Sequence, residues 1–236
     1  MRQLVGHLIV DARDARLARH IRRARAKGHK LNLNLLGEAV LGEREATSRF
    51  ERTVELLKHP DVDYVSVKLS AVASQLSMWG YRETVARLVQ RLTPMYEYAA
   101  SCDPPKFINL DMEEYRDLTL TIDVFKRILG EPKLRNLSAG IVIQCYLPDA
   151  LQAAKELWAF AQTRVERGGA PLKVRVVKGA NLAMERVDAE WHGWQLATYA
   201  SKVETDANYK RVLDWLLDEE HLRSLRVGIA GHNLFD

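Results

Sequence analysis

Short apolar runs rich in β-branched residues alternate along the chain with longer segments of helical period. In residues 83–99, for example, Val85, Leu88, Leu92 and Met95 recur at the spacing of one helix face. The pattern predicts strands at residues 30–36, 63–69, 107–111, 140–146, 173–177 and 226–230. It predicts helices at residues 45–58, 83–99, 118–129 and 148–167, and a helical region from about 182 to 218 with an interruption near 192–193.

Strands separated by helices imply a parallel sheet, because parallel neighbours need a crossover connection. The turn after the first strand, residues 35–39, has one glycine and therefore lacks the G-x-G-x-x-G motif of a doubly wound nucleotide-binding sheet. We therefore expect an α/β chain of the (β/α)8 TIM-barrel type. Six strand-helix units are predicted, the sixth without its helix, whereas such a barrel closes on eight. The pattern thus predicts a barrel truncated after its sixth strand.

Positive charge is concentrated at the start of the chain. Residues 1–30 contain nine Lys and Arg against two Asp, although the net charge of the whole chain is only +4. We interpret residues 1–29 as a basic N-terminal helical segment and residues 30–236 as the incomplete barrel. Such a segment could bind nucleic acid or anionic lipid, but the interpretation we prefer is a solvated helix that packs by Leu17 and Ile21.

Composition narrows the class of protein. No apolar run approaches the roughly 20 residues of a membrane span, and the first residues lack the apolar stretch and cleavage site of a secretory signal. The two cysteines, Cys102 and Cys145, provide neither a disulfide framework nor the paired spacing of a metal site, so no metal is expected. These features favour a cytoplasmic location.

A polar residue lies near the end of every predicted strand, where the chemistry of barrel enzymes is found. Side-chain alternation puts Lys68 on one face with Ser66, and Asp111 on one face with Asn109. Because unpaired charges in a barrel mouth are costly, we expect them to pair with each other or with a ligand. The strand-end residues are Asn34, Lys68, Asp111, Gln144, Arg175 and His232.

Seven motifs, in chain order, resemble those of the proline dehydrogenase family, in particular the dehydrogenase domain of bifunctional proline utilisation A (PutA) proteins. They are LGEA at 36–39, VSVKLS at 65–70, NLDMEE at 109–114, VIQCY at 142–146, VRVVKGA at 174–180, SKVETDANY at 201–209 and GHN at 231–233.

The resemblance implies a noncovalent FAD over the barrel mouth and oxidation of L-proline to 1-pyrroline-5-carboxylate. Hydride would pass to flavin N5 and the electrons to quinone at the membrane surface, with the protein cytoplasmic or peripheral at the inner membrane. A downstream aldehyde dehydrogenase domain is a further implied partner, and no nucleic acid is expected.

The resemblance also implies roles for individual residues. Lys68 would hold the proline carboxylate, Asp111 would orient that side of the pocket, and Arg175 would stabilise negative charge on the flavin as it is reduced. Glu38 resembles the acid of an ion-pair gate over the substrate. The remaining cofactor-binding residues would be Gln144, Val177, Gly179, Ala180 and His232.

The chain departs from the family pattern at several positions. Asn181 and Leu182 stand where many members have two aromatics, and the segment 200–202 is ASK where many have TRK. The family's last two strands and final helix, which bring an arginine pair for the proline carboxylate, have no counterpart in the sequence. We therefore expect this chain to be an incomplete domain.

Two other functions are compatible with the residues. One is a barrel aldolase that uses Lys68 or Lys178 as a Schiff-base amine, although alternation points Lys178 away from Arg175. The other is a non-catalytic barrel fragment whose basic head binds nucleic acid.

Overall fold

Parallel strands form the centre of the molecule. The computed structural model describes residues 14–35, 40 and 42–231, and in these residues a six-stranded parallel sheet runs in the order β1 to β6. Its strands are β1 (Leu33–Asn34), β2 (Tyr64–Lys68), β3 (Phe107–Asp111), β4 (Gly140–Gln144), β5 (Leu172–Val177) and β6 (Leu225–Ala230). The α/β class and the parallel strands predicted from the alternation are confirmed.

Helices connect these strands, and most begin and end within two residues of the predicted positions. They are α1 (Asp14–Ala26), α2 (Glu43–Lys58), α3 (Leu69–Val72), α4 (Tyr81–Ser101), α5 (Leu118–Leu129), α6 (Ala150–Glu166), α7 (Leu182–His192), α8 (Lys202–Leu216) and α9 (Glu219–Leu222). No helix in this described part of the chain is both long and apolar enough to cross a membrane.

Two local predictions differ from the structure. The first strand is shorter than residues 30–36, because its ladder with β2 pairs Leu33 and Asn34 alone within the described residues. Helix α6 begins at Ala150 rather than at 148, since Pro148 lies in the preceding turn. The helical region from 182 to 218 is two helices, and the predicted interruption near 192–193 is confirmed, since α7 ends at His192 before Gly193 in a left-handed conformation with φ of 65°. A capping box of Ser201 and Glu204 then starts α8.

The two faces of the sheet differ in polarity. Residues of one face are almost fully buried with the helices in a single apolar core, and each contributes about 1.5–3 kcal/mol by its burial. They include Val65, Val67, Ile108, Leu110, Ile141, Ile143, Val174 and Val176. The other face carries polar side chains that are also buried, among them Ser66, Asn109, Asp111 and Gln144. The period of two along each strand therefore separates the core from a polar interior.

Helix α1 packs against the same core. Leu17 and Ile21 are buried there, as the sequence interpretation expected. On its solvent side, Nη2 of Arg25 donates to the carbonyl of Asp61 at 2.9 Å and lies 3.0 Å from the carboxylate of Asp63. The basic helix is thus anchored by apolar burial and by charge, and the division at residue 29 stays a prediction.

Candidate active site at the strand ends

The register of the parallel strands aligns the predicted site residues in rows. Lys68 is opposite Asp111 on β3, and Arg175 is opposite Val142 on β4. A cavity of about 930 Å³ opens at this end of the sheet, within the size range of ligand sites. It is lined by the predicted residues Lys68, Asp111, Gln144, Arg175, Val177, Gly179 and Ala180, and also by Asn34 and Glu113. Glu38 and His232 lie outside the described residues.

Asp111 is the centre of a hydrogen-bond network on the floor of the cavity. Its Oδ1 accepts from Nη2 of Arg175 at 2.6 Å, from Nδ2 of Asn109 at 2.6 Å and from Oγ of Ser66 at 3.2 Å. Oγ of Ser66 in turn accepts from Nδ2 of Asn32 at 2.8 Å. Burial raises the pKa of Asp111, and the Arg175 cation with these hydrogen bonds offsets only part of that effect. The network fixes the carboxylate and, through it, the guanidinium.

Arg175 has a donor that the protein does not use. Its Nη2 is bonded to Asp111, but its Nε is buried and has no hydrogen-bond partner among the described residues. A buried unpaired donor costs about 1–3 kcal/mol, so such groups in native proteins usually meet a bound molecule or water. The buried Nε is closed to solvent, so a ligand in the cavity would meet the exposed part of Arg175, whose side chain is 24% exposed.

Lys68 pairs with a residue that the sequence analysis did not select. Its Nζ forms an ion pair with Oε1 of Glu113, whereas the ion pair of Asp111 is with Arg175. Alternation offered a signal, since residues 109, 111 and 113 continue one face beyond the end of β3.

Gln144 joins the loops that follow β3 and β5. Its Oε1 accepts from the backbone N–H of Ala180 at 2.8 Å, and its Nε2 donates to the carbonyls of Met112, at 3.1 Å, and Glu113. Both amide protons of the side chain are therefore used within the protein. What remains for a ligand is the second lone pair of Oε1.

Gly179 allows a close contact with the ring of Tyr146. A Cβ at Gly179 would lie 2.5 Å from both Cγ and Cδ2 of that ring. The space that a side chain would occupy at Gly179 is thus filled by the ring of Tyr146. The cavity is lined by the backbone of this turn instead.

Lysines supply positive charge at the rim of the cavity. Lys178 and Lys202 both line it, and they contact opposite oxygens of Asp206 at 2.7 Å and 2.5 Å. These two hydrogen bonds lower the pKa of Asp206 to about 2. Two lysines share this one carboxylate, so the rim keeps an excess of positive charge that suits an anionic ligand.

The chain matches the family model described as "Proline dehydrogenase" over residues 17–236. It is 27% identical over 221 residues to "Bifunctional protein PutA" of Escherichia coli (strain K12), covering 89% of this chain and 16% of that protein. It is 26% identical over 186 residues to "Proline dehydrogenase" of Deinococcus radiodurans, covering 77% of this chain and 51% of that protein.

Solved structures of two relatives are also similar to this chain. Proline utilization A (PutA) from Corynebacterium freiburgense has a TM-score of 0.95 at 52% identity, covering 100% of this chain and 24% of that one. Proline utilization A (PutA) from Bdellovibrio bacteriovorus has a TM-score of 0.83 at 33% identity, covering 93% of this chain and 24% of that one. The chain therefore spans about a quarter of the solved relatives, and the predicted fold of the proline dehydrogenase barrel is confirmed. Taken with the matched family model, these likenesses establish that the chain belongs to the proline dehydrogenase family.

Proposed function

We propose that this chain forms the FAD- and proline-binding part of a proline dehydrogenase, which oxidises L-proline to 1-pyrroline-5-carboxylate. The observation that carries the proposal is the partly exposed guanidinium of Arg175, held by Asp111 in a cavity lined by the predicted site residues. Membership of the proline dehydrogenase family supports the choice of substrate.

The residues of the cavity are compatible with FAD. The partly exposed guanidinium of Arg175 and the lysines at the rim suit an anionic cofactor. Val177, Gly179 and Ala180 contribute to the wall of the cavity. His232 and Glu38 keep the roles that the resemblance implies, as a cofactor contact and as a substrate gate.

Oxidation of the proline C–N bond removes a hydride from carbon and a proton from nitrogen. Bound FAD supplies the hydride acceptor, at N5. Arg175 contributes a fixed cation, held by Asp111 at 2.6 Å, that stabilises the negative charge developing in the mouth. Since the guanidinium is already oriented, it needs no rearrangement during the reaction.

Lys68 provides the cation for the carboxylate of proline. Its ammonium group is held over the cavity by Glu113 and has further protons to donate. An ammonium is a point charge, so it attracts a carboxylate without the bidentate geometry of arginine.

The electrons pass from the flavin to quinone at the membrane surface, with the protein cytoplasmic and peripheral at the inner membrane. The product is the substrate of an aldehyde dehydrogenase, after hydrolysis of its ring. The bifunctional relatives, of which this chain covers 16%, support a linked domain of that kind.

A Schiff-base aldolase has less support. That chemistry needs an uncharged amine. Nζ of Lys68 is paired with Glu113, and Nζ of Lys178 lies 2.7 Å from Asp206. Each amine is thus held in an ion pair with a carboxylate rather than presented to a carbonyl substrate.

The test is the visible absorbance spectrum of the purified chain with FAD, followed by anaerobic addition of L-proline. We expect a bound-flavin spectrum that bleaches with proline, while D-proline serves as the control. Bound flavin that L-proline fails to bleach would refute the substrate, and a spectrum of free flavin alone would refute cofactor binding by this chain.

A further inference from the structure

Helix α7 follows directly from the turn that lines the cavity, yet it buries little surface. None of its described residues is buried, and Met184, Val187 and Trp191 are 61%, 55% and 84% exposed. A helix of a globular protein is normally fixed by an apolar face packed on the core. In the described part of the chain, the position of α7 must therefore depend on polar contacts.

Glu185 supplies these contacts. Its Oε1 accepts from the backbone N–H of Tyr115 at 2.7 Å and lies 3.4 Å from the hydroxyl of Tyr146. Tyr115 follows β3 and Tyr146 follows β4. Among the described residues, no other α7 side chain hydrogen-bonds outside its own helix. One half-buried carboxylate thus joins α7 to two segments at the cavity end of the sheet.

The hydroxyl of Tyr146 has one proton and two nearby acceptors. It lies 3.1 Å from the carbonyl of Glu113 and 3.4 Å from Glu185. Both contacts are satisfied together when Glu185 is protonated, because Glu185 then donates to the Tyr146 oxygen while Tyr146 donates to Glu113. Burial raises the pKa of Glu185, and the nearby charge of Glu114 acts in the same direction, against the Tyr115 N–H.

The same tyrosine supports the turn that lines the cavity. Its backbone N–H donates to the carbonyl of Lys178 at 2.6 Å, and its ring fills the space beside Gly179. The N–H of Ala180 is held by Gln144 at 2.8 Å. The turn at 178–180 is therefore fixed by Tyr146 and Gln144, and Glu185 fixes α7, the helix that follows this turn.

We propose that Glu185 is a positioning residue that fixes the turn at 178–180 by tying α7 to Tyr115 and Tyr146. The effect on cofactor affinity rests on the proposed function, whereas the effect on the turn does not. The hydrogen bonds of Glu185 go to Tyr115 and Tyr146, which do not belong to the described lining of the cavity, so it acts through the backbone that it holds in place.

The test measures amide hydrogen exchange at Tyr115 and Ala180 in the 236-residue chain without added cofactor. We expect Glu185→Ala to accelerate exchange of both amides about tenfold, because the acceptor of the Tyr115 N–H and the tie to Tyr146 are lost. Glu185→Gln should stay within about twofold at Tyr115, since its amide oxygen still accepts. Glu190→Ala, an exposed acid on the same helix, is the matched control and should leave both amides unchanged.

Titration with FAD provides the second measurement. Glu185→Ala should raise the dissociation constant about tenfold, and Glu185→Gln should restore most of the affinity. Exchange at Ala180 that is unchanged in Glu185→Ala would overturn the proposal, whatever the affinity.

If Glu185→Ala does not fold, Tyr146→Phe decides, because it removes the hydroxyl alone. Tyr146→Phe should accelerate hydrogen exchange at the amide of Ala180 and leave exchange at the amide of Tyr115 unchanged. An unaltered exchange rate at Ala180 would again overturn the proposal. A parent chain that binds no FAD would refute the proposed function, while the exchange comparison still decides the role of Glu185.

Discussion

Arg175 and Asp111 form an ion pair across an intervening strand. Nη2 of Arg175 on β5 lies 2.6 Å from Oδ1 of Asp111 on β3, and β4 runs between them. Arg175 is opposite Val142 in the β4–β5 ladder, and Val142 is the next residue after the Leu110–Ile141 pair of the β3–β4 ladder. The ion pair therefore spans β4 on the polar face of the sheet. It joins β3 and β5, which share no backbone hydrogen bond in the described sheet.

Removing the acid should destabilise the protein. Asp111→Ala leaves a largely buried guanidinium without its counterion, so we expect the free energy of unfolding to fall by about 3 kcal/mol. Urea denaturation at pH 7 measures this loss. Glu55→Ala breaks the exposed pair with Lys58 and should cost less than about 1 kcal/mol. Equal effects of the two substitutions would contradict a special role for the buried pair.

Replacing the Arg175 cation should slow the reaction. Arg175→Met removes the fixed cation, so flavin reduction by proline should slow by about 10²–10³-fold or more. Stopped-flow absorbance under anaerobic conditions measures the rate. Arg82→Met, on the exposed side of α4, is the control. A rate near that of the parent would refute the role assigned to Arg175.

Adding a methyl group at Gly179 should disturb the cavity. The new Cβ would overlap the ring of Tyr146, and overpacking of this kind costs about 1–3 kcal/mol. We expect Gly179→Ala to lower both the free energy of unfolding and the affinity for FAD. At Gly42 an added Cβ meets nothing within 4 Å, so Gly42→Ala should be close to neutral. If both substitutions behave alike in urea denaturation and FAD titration, the contact with Tyr146 has no energetic weight.

We expect the free energy of unfolding to depend on pH through Asp117. Burial raises its pKa to about 6, and the nearby charge of Glu114 adds to the effect. In the folded state it binds a proton more tightly than in the unfolded state, so its contribution to stability falls as pH rises from about 4 to 6. Asp117→Asn should therefore remove this decline and stabilise the protein at pH 7 by about 2 kcal/mol.

Since the side chain of Asp117 makes no capping hydrogen bond to α5, the amide loses nothing there. Urea denaturation of both proteins from pH 4 to pH 8 provides the comparison. If the free energies of unfolding of the parent and of Asp117→Asn change in parallel with pH, the pKa of Asp117 is not raised by folding.

The sequence predicted the strand ends well, because side-chain alternation is a local property of each strand. It placed Lys68, Asp111 and Arg175 on the face that the structure turns toward the cavity. Which of these residues pair with each other could not be predicted from the sequence, since the pairing depends on the register of the strands and on the path of the loop after β3. Glu113 was missed for that reason, as it reaches Lys68 only after the chain leaves β3.

The contact between Gly179 and Tyr146 shows the same limit. A glycine at this position indicates that some group lies close to the backbone, but the sequence does not say which one. The neighbour proves to be a ring 33 residues earlier in the chain, brought there by the parallel pairing of β4 and β5.

The open cavity beside Arg175 links the folded state to the supply of ligand. A ligand that binds there only in the folded protein adds its binding free energy to that of folding, so the population of native molecules rises with ligand concentration. In a cell, cofactor scarcity would then reduce the amount of intact protein as well as its turnover rate. Protein abundance and catalytic capacity would consequently follow the availability of flavin together.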